Sequence, residues 1–204
     1  ETDKSKNTRP YYITINKTHN TITVYGLDEN GKYTIPVKAI ICSTGKATPL
    51  GKFNTKVKYK WKLLNGNVWG QYSTRIHGSI LFHSVPMNAQ RKDTVRYRSY
   101  NRLGTTASAG CVRVTTADAK WLFDNCPVGT TVEIYKDSSS PGPLGKPVAI
   151  KVPTNVSSGW DPTDPDPKNP WNSKGPSITG ATNKTVERGT DFDIRDGIKA
   201  LDTV

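Results

Sequence analysis

Cys111 stands in the run Ser108-Ala109-Gly110-Cys111-Val112-Arg113, directly after a glycine, in a Ser/Gly-rich loop that leads into apolar residues. A thiol in that setting contributes little to a core, and its thiolate is a strong nucleophile if a base takes its proton and backbone donors receive an oxyanion. Gly110 permits close approach of the backbone. Only three histidines are present, and His83 ends the apolar run Ile80-Leu81-Phe82, which would present it at the end of a strand. A Cys/His pair for nucleophilic catalysis is the chemistry these residue types allow.

Gly78-Ser79-Ile80-Leu81-Phe82-His83-Ser84 and Ser108-Ala109-Gly110-Cys111-Val112-Arg113, in this order, resemble the L,D-transpeptidase catalytic (YkuD) family of bacterial cell-wall enzymes. A third block, Ser43-Thr44-Gly45 with Thr48-Pro49-Leu50-Gly51-Lys52-Phe53, resembles that family's S-T-G and T-P-x-G-x-F element, and the resemblance spans roughly residues 10 to 136. It implies Cys111 as nucleophile, His83 as general base, Ser84 as the group that orients the imidazole, and Gly110, Ser108 and Arg113 as oxyanion or substrate contacts. It implies peptidoglycan stem peptides as substrate, 3→3 cross-links with release of D-alanine as product, carbapenems as acylating agents, no cofactor, and a cell-wall location outside the cytoplasmic membrane. An L,D-carboxypeptidase would use the same site with water as acceptor.

Two features depart from the family pattern. Ala109 stands where many members carry histidine, so a second histidine is missing beside the thiol. His83 and Cys111 are 28 positions apart, longer than the family's usual interval, and the additional residues include Arg91, Lys92, Arg96, Tyr97, Arg98, Tyr100 and Arg102. They are expected to form a basic, aromatic flap over the cleft, with Tyr97, Tyr100 and Arg102 as cleft candidates.

The remaining histidines and cysteines have plainer expectations. His19 belongs to a polar turn. His77 lies six residues before His83, and on one strand an even separation puts both on one face, so an ordinary strand position and a cleft position are both open. Cys42 ends an apolar strand and Cys126 follows a helix; in an exported protein they would form either a disulfide or two buried thiols, leaving Cys111 free. No C-x-x-C or H-x-x-x-H spacing supports a metal site.

The elements around these residues read as mostly β. Tyr11–Asn16 and Thr21–Tyr25 suggest a hairpin, Tyr33–Cys42 a further strand, and Thr130–Tyr135 a closing one. The clearest helix begins at Thr116, as cap, and runs over 117–124, where it would brace the nucleophile loop. The expected fold is an L,D-transpeptidase-like β-sandwich over 1–153 with one or two short helices. A Pro-rich linker over 154–175 follows, then an incomplete β segment over 176–204 resembling the start of a bacterial immunoglobulin-like domain. Trp160 and Trp171 flank the acidic Pro-rich run 161–170 and should dock that linker on the first domain.

The formal net charge of +12 is uneven: residues 1–153 carry 23 Lys+Arg against 9 Asp+Glu, and 154–204 carry 6 against 8. The alternating lysines at 56, 58, 60 and 62 read as one wet face of a strand. Attraction to anionic wall polymers is the functional reading of this charge. No nucleic-acid-binding signature accompanies it, and no apolar run is long enough to span a membrane. The first residues lack a basic-then-apolar signal segment, so export rests on the resemblance alone. A papain-like protease would place its cysteine before its histidine, the reverse of this order. A non-catalytic wall-binding module is the remaining alternative, and it predicts that Cys111 is dispensable.

Overall fold

The computed structural model describes residues 9–172 together with the strands Ser177–Thr179 and Lys199–Leu201. The alternating Ile/Val/Thr runs form β1 (Tyr11–Asn16), β2 (Thr21–Leu27) and β3 (Tyr33–Ile41), and Gly51–Asn54 forms β4. Lys58–Leu64, Val68–His77 and Ile80–Ser84 follow as β5, β6 and β7, and the short helix α1 covers Tyr97–Tyr100. Val112–Val114 is β8, Thr116–Asn125 is α2, and Thr131–Tyr135 is β9.

These strands make two sheets. One has the order β3-β2-β1-β9-β4, with β1 and β9 parallel; the other has the order β5-β6-β7-β8, with β7 and β8 parallel. Period-two alternation turns Ile13, Ile15, Ile22, Val24, Val132 and Ile134 inward, where they meet Phe82, Val112 and Val114 of the second sheet and Leu122 of α2. Cys42 and Cys126 lie in this same core as buried free thiols, which decides between the two expectations for that pair. Burial raises both thiols, Cys126 to about 12.

The cap of α2 is one residue earlier than expected. Thr115 is the N-cap and accepts from the Asp118 N–H at 3.2 Å, while its hydroxyl donates to Asp118 Oδ2 at 2.8 Å. A second acid completes this helix end from far along the chain. Asp161 Oδ2 accepts from Thr116 N at 2.8 Å and Thr116 Oγ1 at 2.9 Å, and Thr163 Oγ1 accepts from Ala117 N at 3.1 Å.

The residues between β7 and β8 do not form a flap. Tyr100 is fully buried and joins Val85, Met87, Val95, Leu103 and Val152 in a second core, sealed by Tyr97, Val156 and Trp171. Tyr97 Oη bonds Ser158 Oγ at 2.8 Å and donates to the Trp160 carbonyl at 2.9 Å, and Lys92 pairs with Asp164 and Asp166. Burying these aromatic rings against the 152–171 segment gains more than leaving them over an open cleft, because each ring removes a large apolar area from water. The Pro-rich run is therefore packed on the first domain, with Asp161 and Asp164 fully buried.

Ser177–Thr179 and Lys199–Leu201, β10 and β11, pair antiparallel. The rest of the segment 176–204 likened to an immunoglobulin-like domain lies outside the described residues.

Candidate active site

β7 and β8 are parallel neighbours, with Phe82 opposite Val112, His83 opposite Arg113 and Ser84 opposite Val114. Opposed residues share a face, so His83 and Arg113 look the same way while Phe82 and Val112 enter the core. Cys111 precedes the first residue of β8 and comes to the same cleft. Cys111, His83, Arg113, Ser108 and Gly110 all line one cavity of about 310 Å3, whose far wall is the β5–β6 hairpin.

His83 is buried, 2% exposed. Its Nδ1 lies 2.6 Å from the Ser84 carbonyl oxygen. A carbonyl only accepts, so Nδ1 carries the proton and Nε2 presents its lone pair to the cleft. Ser84 makes this contact through its backbone; its hydroxyl accepts from Gln71 N at 3.0 Å and donates to the Val85 carbonyl at 3.1 Å, away from the imidazole. Gly70 was not singled out from sequence. A Cβ there would lie 2.9 Å from His83 Cβ and 3.1 Å from Cγ, so glycine is what lets β6 pass over the imidazole.

Burial is the main reason that His83 is pushed down to about 4, helped by the charge of Arg113 and opposed by the Ser84 carbonyl. Burial likewise raises the Cys111 thiol, against the Leu81 backbone N–H and Arg113, which favour the thiolate. Both groups therefore rest neutral near pH 7. The thiol donates to the Ser79 carbonyl at 3.7 Å. His83 also couples stability to pH. An unfolded histidine takes a proton below about pH 6.5 and the folded one only near pH 4, so the unfolded state holds more protons within that window. Stability from this group is complete above about 6.5 and is lost as pH falls toward 4, a change of about 3 kcal/mol. Urea unfolding of the protein and of His83→Gln at pH 7 and 4.5 should show a smaller pH dependence in the variant; equal dependence would refute the assignment.

The Cys111 loop is held from behind by the Ser43–Thr48 segment. Ser43 N donates to the Arg113 carbonyl at 2.8 Å and Arg113 N to the Ser43 carbonyl at 2.9 Å. Ala47 N donates to the Ala109 carbonyl at 3.1 Å, and Thr48 Oγ1 donates to the Gly110 carbonyl at 2.6 Å. In a trans peptide, N–H and C=O point in opposite directions. Both carbonyls face the 47–48 segment, so the N–H groups of Gly110 and Cys111 are turned away from it together, the arrangement of an anion-binding nest. Ser108 Oγ donates to the Cys111 carbonyl at 2.6 Å and tightens the same turn.

Gly45 sits under this loop. A Cβ there would lie 2.5 Å from the Ser108 oxygen and the Ala109 carbonyl carbon, both backbone atoms that cannot yield separately. Gly45→Ala should displace the loop and lower kcat/KM by about 100-fold, since a shift near 1 Å at a reacting centre costs that much. Steady-state rates with circular dichroism as the fold control check this, and an unaltered rate would show that the loop is not so fixed.

Three cations reach the cleft: Arg113, Arg75 and Lys62. Arg113 Nη1 donates to the Ala107 carbonyl at 2.8 Å, while its Nε is buried without a partner. Arg75 and Lys62 were not recognised as site residues from sequence. Lys62 belonged to the alternating lysines read as a wet face; it lies 4.8 Å from the Tyr59 ring centroid and lines the cleft. Of the four alternating lysines Lys56 and Lys60 are exposed, and Lys58 donates to the Phe123 carbonyl.

His77 is not on the strand of His83. It is the exposed last residue of β6, separated from β7 by a turn, and stacks on Phe53 with ring centroids 4.6 Å apart. The single-strand geometry behind its cleft position fails for that reason. Tyr97, Tyr100 and Arg102 do not line the cleft; of residues 85–107 it takes Pro86. Among the described residues, no group of histidine, cysteine and acidic side chains is spaced to hold a metal ion, and no helix is long and apolar enough to cross a membrane.

A family model described as the L,D-transpeptidase catalytic domain (YkuD) matches residues 10–134. A Bacillus subtilis (strain 168) protein named "Putative L,D-transpeptidase YciB" is 39% identical over 110 residues, which is 52% of this chain and 56% of that protein. The chain thus spans little more than half the length of this curated relative. Among solved structures, an L,D-transpeptidase from Mycobacterium smegmatis is 18% identical with a TM-score of 0.50, over 62% of this chain and 58% of that one, and shares the fold. The LD transpeptidase LdtMt1 in complex with imipenem is similar at a TM-score of 0.49 and 22% identity, over 62% of this chain and 59% of that chain. With its two mostly β sheets, and with the family model covering more than half of its length, the chain belongs to the L,D-transpeptidase catalytic domain (YkuD) family.

Proposed function

We propose that this protein is a cysteine L,D-transpeptidase that forms 3→3 cross-links between peptidoglycan stems. The observation that carries the reading is the pair of parallel strands β7 and β8, which delivers a thiol and an Nδ1-protonated imidazole to one cleft. Cys111 turns from the Ser79 carbonyl toward His83, whose Nε2 takes its proton as sulfur attacks the carbonyl between the third residue and the terminal D-alanine of a tetrapeptide. The N–H groups of Gly110 and Cys111 receive the oxyanion. The imidazolium returns its proton to the departing D-alanine nitrogen, and a thioester remains on Cys111.

A neutral base that needs no resident ion pair suits this sequence of steps. Arg113, with its unpartnered buried Nε, supplies a charged contact for a substrate carboxylate. An amine on a second stem then opens the thioester to give the cross-link; with water instead, the same site acts as an L,D-carboxypeptidase. Substrates of this kind place the working protein at the cell wall, outside the cytoplasmic membrane.

Intact-mass spectrometry tests the reading after incubation with a carbapenem and, separately, with a disaccharide tetrapeptide. The expected result is one drug per chain, D-alanine release and a dimeric product. Trimmed monomer alone would make the enzyme a carboxypeptidase. Neither adduct nor turnover under reducing conditions would favour a non-catalytic wall-binding module.

A further inference from the structure

The catalytic cleft, at about 310 Å3, is at the lower end of what holds a single ligand, whereas cross-linking must bring two stems to one sulfur. A second concavity of about 600 Å3 is formed by the residues between β7 and β8. Arg96, Arg98 and Arg102 line it with Asn88, Tyr97 and Ser99. All three arginines are exposed, and among the described residues none is within ion-pair distance of a carboxylate.

Hydrogen bonds link the linings of the two concavities. Arg96 N donates to the carbonyl of Pro86, a cleft residue, at 2.9 Å. On the other side, Ser43 Oγ donates to the Arg102 carbonyl at 3.0 Å while the Ser43 backbone pairs with Arg113. Arg96 and Arg102 are near enough to act electrostatically on Arg113. The platform is fixed, because Tyr100 is buried beneath it, Tyr97 is tied to Ser158 and Trp160, and Arg96 Nε donates to Asn88 Oδ1 at 2.6 Å.

We propose that this arginine-lined cavity binds the carboxylates of the acceptor stem peptide, an inference that rests on the acyl-transfer reading above. Guanidinium forks take carboxylates in pairs of hydrogen bonds. With the carboxylates held there, the amine end extends out of the cavity toward the Cys111 thioester, where the cleft cations Arg113, Arg75 and Lys62 favour its neutral, nucleophilic form. That nitrogen attacks the thioester carbonyl; the C–N bond forms and the C–S bond breaks. His83 Nε2 takes the nitrogen's proton and passes it to the departing sulfur, which restores the thiol.

The test uses Arg98→Gln and the triple variant Arg96→Gln/Arg98→Gln/Arg102→Gln in the full chain, with melting temperature as fold control. Adduct formation with a carbapenem and D-alanine release from a disaccharide tetrapeptide should stay within about twofold of the wild type. Dimer formation should fall tenfold or more through a higher acceptor KM, and an acceptor with amidated carboxylates should lose a similar factor on the wild-type protein. Calorimetric titration of the tetrapeptide into Cys111→Ala, with and without the three arginine changes, reads binding without chemistry: binding at the acceptor site should weaken tenfold and binding at the donor site should not.

Wild-type dimer yield in the triple variant would overturn the acceptor site. So would D-alanine release that falls in step with dimer, which would assign the arginines to the donor. Tighter binding of a glycerol-phosphate polymer than of the peptide, lost in the triple variant, would make the cavity a polymer site and overturn the proposal. A wild-type protein that forms neither adduct nor dimer refutes the acyl-transfer reading itself.

Discussion

Cys111→Ala is expected to abolish acyl-enzyme formation, and His83→Ala to slow it by about 100- to 10,000-fold, the usual worth of a positioned general base. The large His83 effect follows from the resting charge state. Burial raises the thiol and lowers the imidazole, so no thiolate–imidazolium pair stands ready and the proton must move to His83 during attack. Cys111→Ser should be nearly as poor as alanine, because a hydroxyl holds its proton more tightly than a thiol and the base is weak. The rate of carbapenem adduct formation, followed by mass at fixed pH, separates these cases. In the wild type that rate should rise with pH through a value above the ordinary cysteine range. An unchanged rate in His83→Ala would remove the histidine from the mechanism.

The second large effect concerns stability. Asp161→Ala should destabilise the fold by about 3–5 kcal/mol, since each buried donor left without an acceptor costs about 1–3 kcal/mol. Asp161 is fully buried and satisfies Thr116 N and Oγ1 through Oδ2, and Thr163 N and Oγ1 through Oδ1 at 2.8 and 2.7 Å. Alanine would strand those donors at the N-terminus of α2, the helix that packs on β6 and β7. A fall in melting temperature of about 10 °C is expected for a chain of this size. Asp161→Asn, which keeps the shape and one acceptor, should lose less than half as much. A melting temperature within 2 °C of wild type for Asp161→Ala, on the order of measurement scatter for such shifts, would show that the C-terminal segment contributes nothing to the domain.

Much of the site was legible because its signals are local. A glycine before a cysteine and a histidine at the end of an apolar run are properties of neighbouring residues, as are the alternating strands that became β1, β2, β3 and β9. His77 failed as a cleft candidate because strand periodicity is meaningful only within one strand, and the turn at Gly78-Ser79 resets the face. Lys62 and Arg75 escaped notice for a related reason: nothing in a strand's own alternation says which polar residue faces a cleft and which faces water.

By itself the sequence determined the strand pattern, the thiol and imidazole, and the family to which they belong, since each is written in adjacent residues. The tertiary structure alone decided the side of His83 that carries its proton, through the Ser84 carbonyl, and the glycine that makes room for the ring. It also decided that the aromatic residues after β7 lie beneath a second core and that an aspartate 45 positions beyond Thr116 caps α2. Those outcomes depend on which buried surface outcompetes another and on which distant donor finds an acceptor, and such energies exist only after the chain has closed on itself.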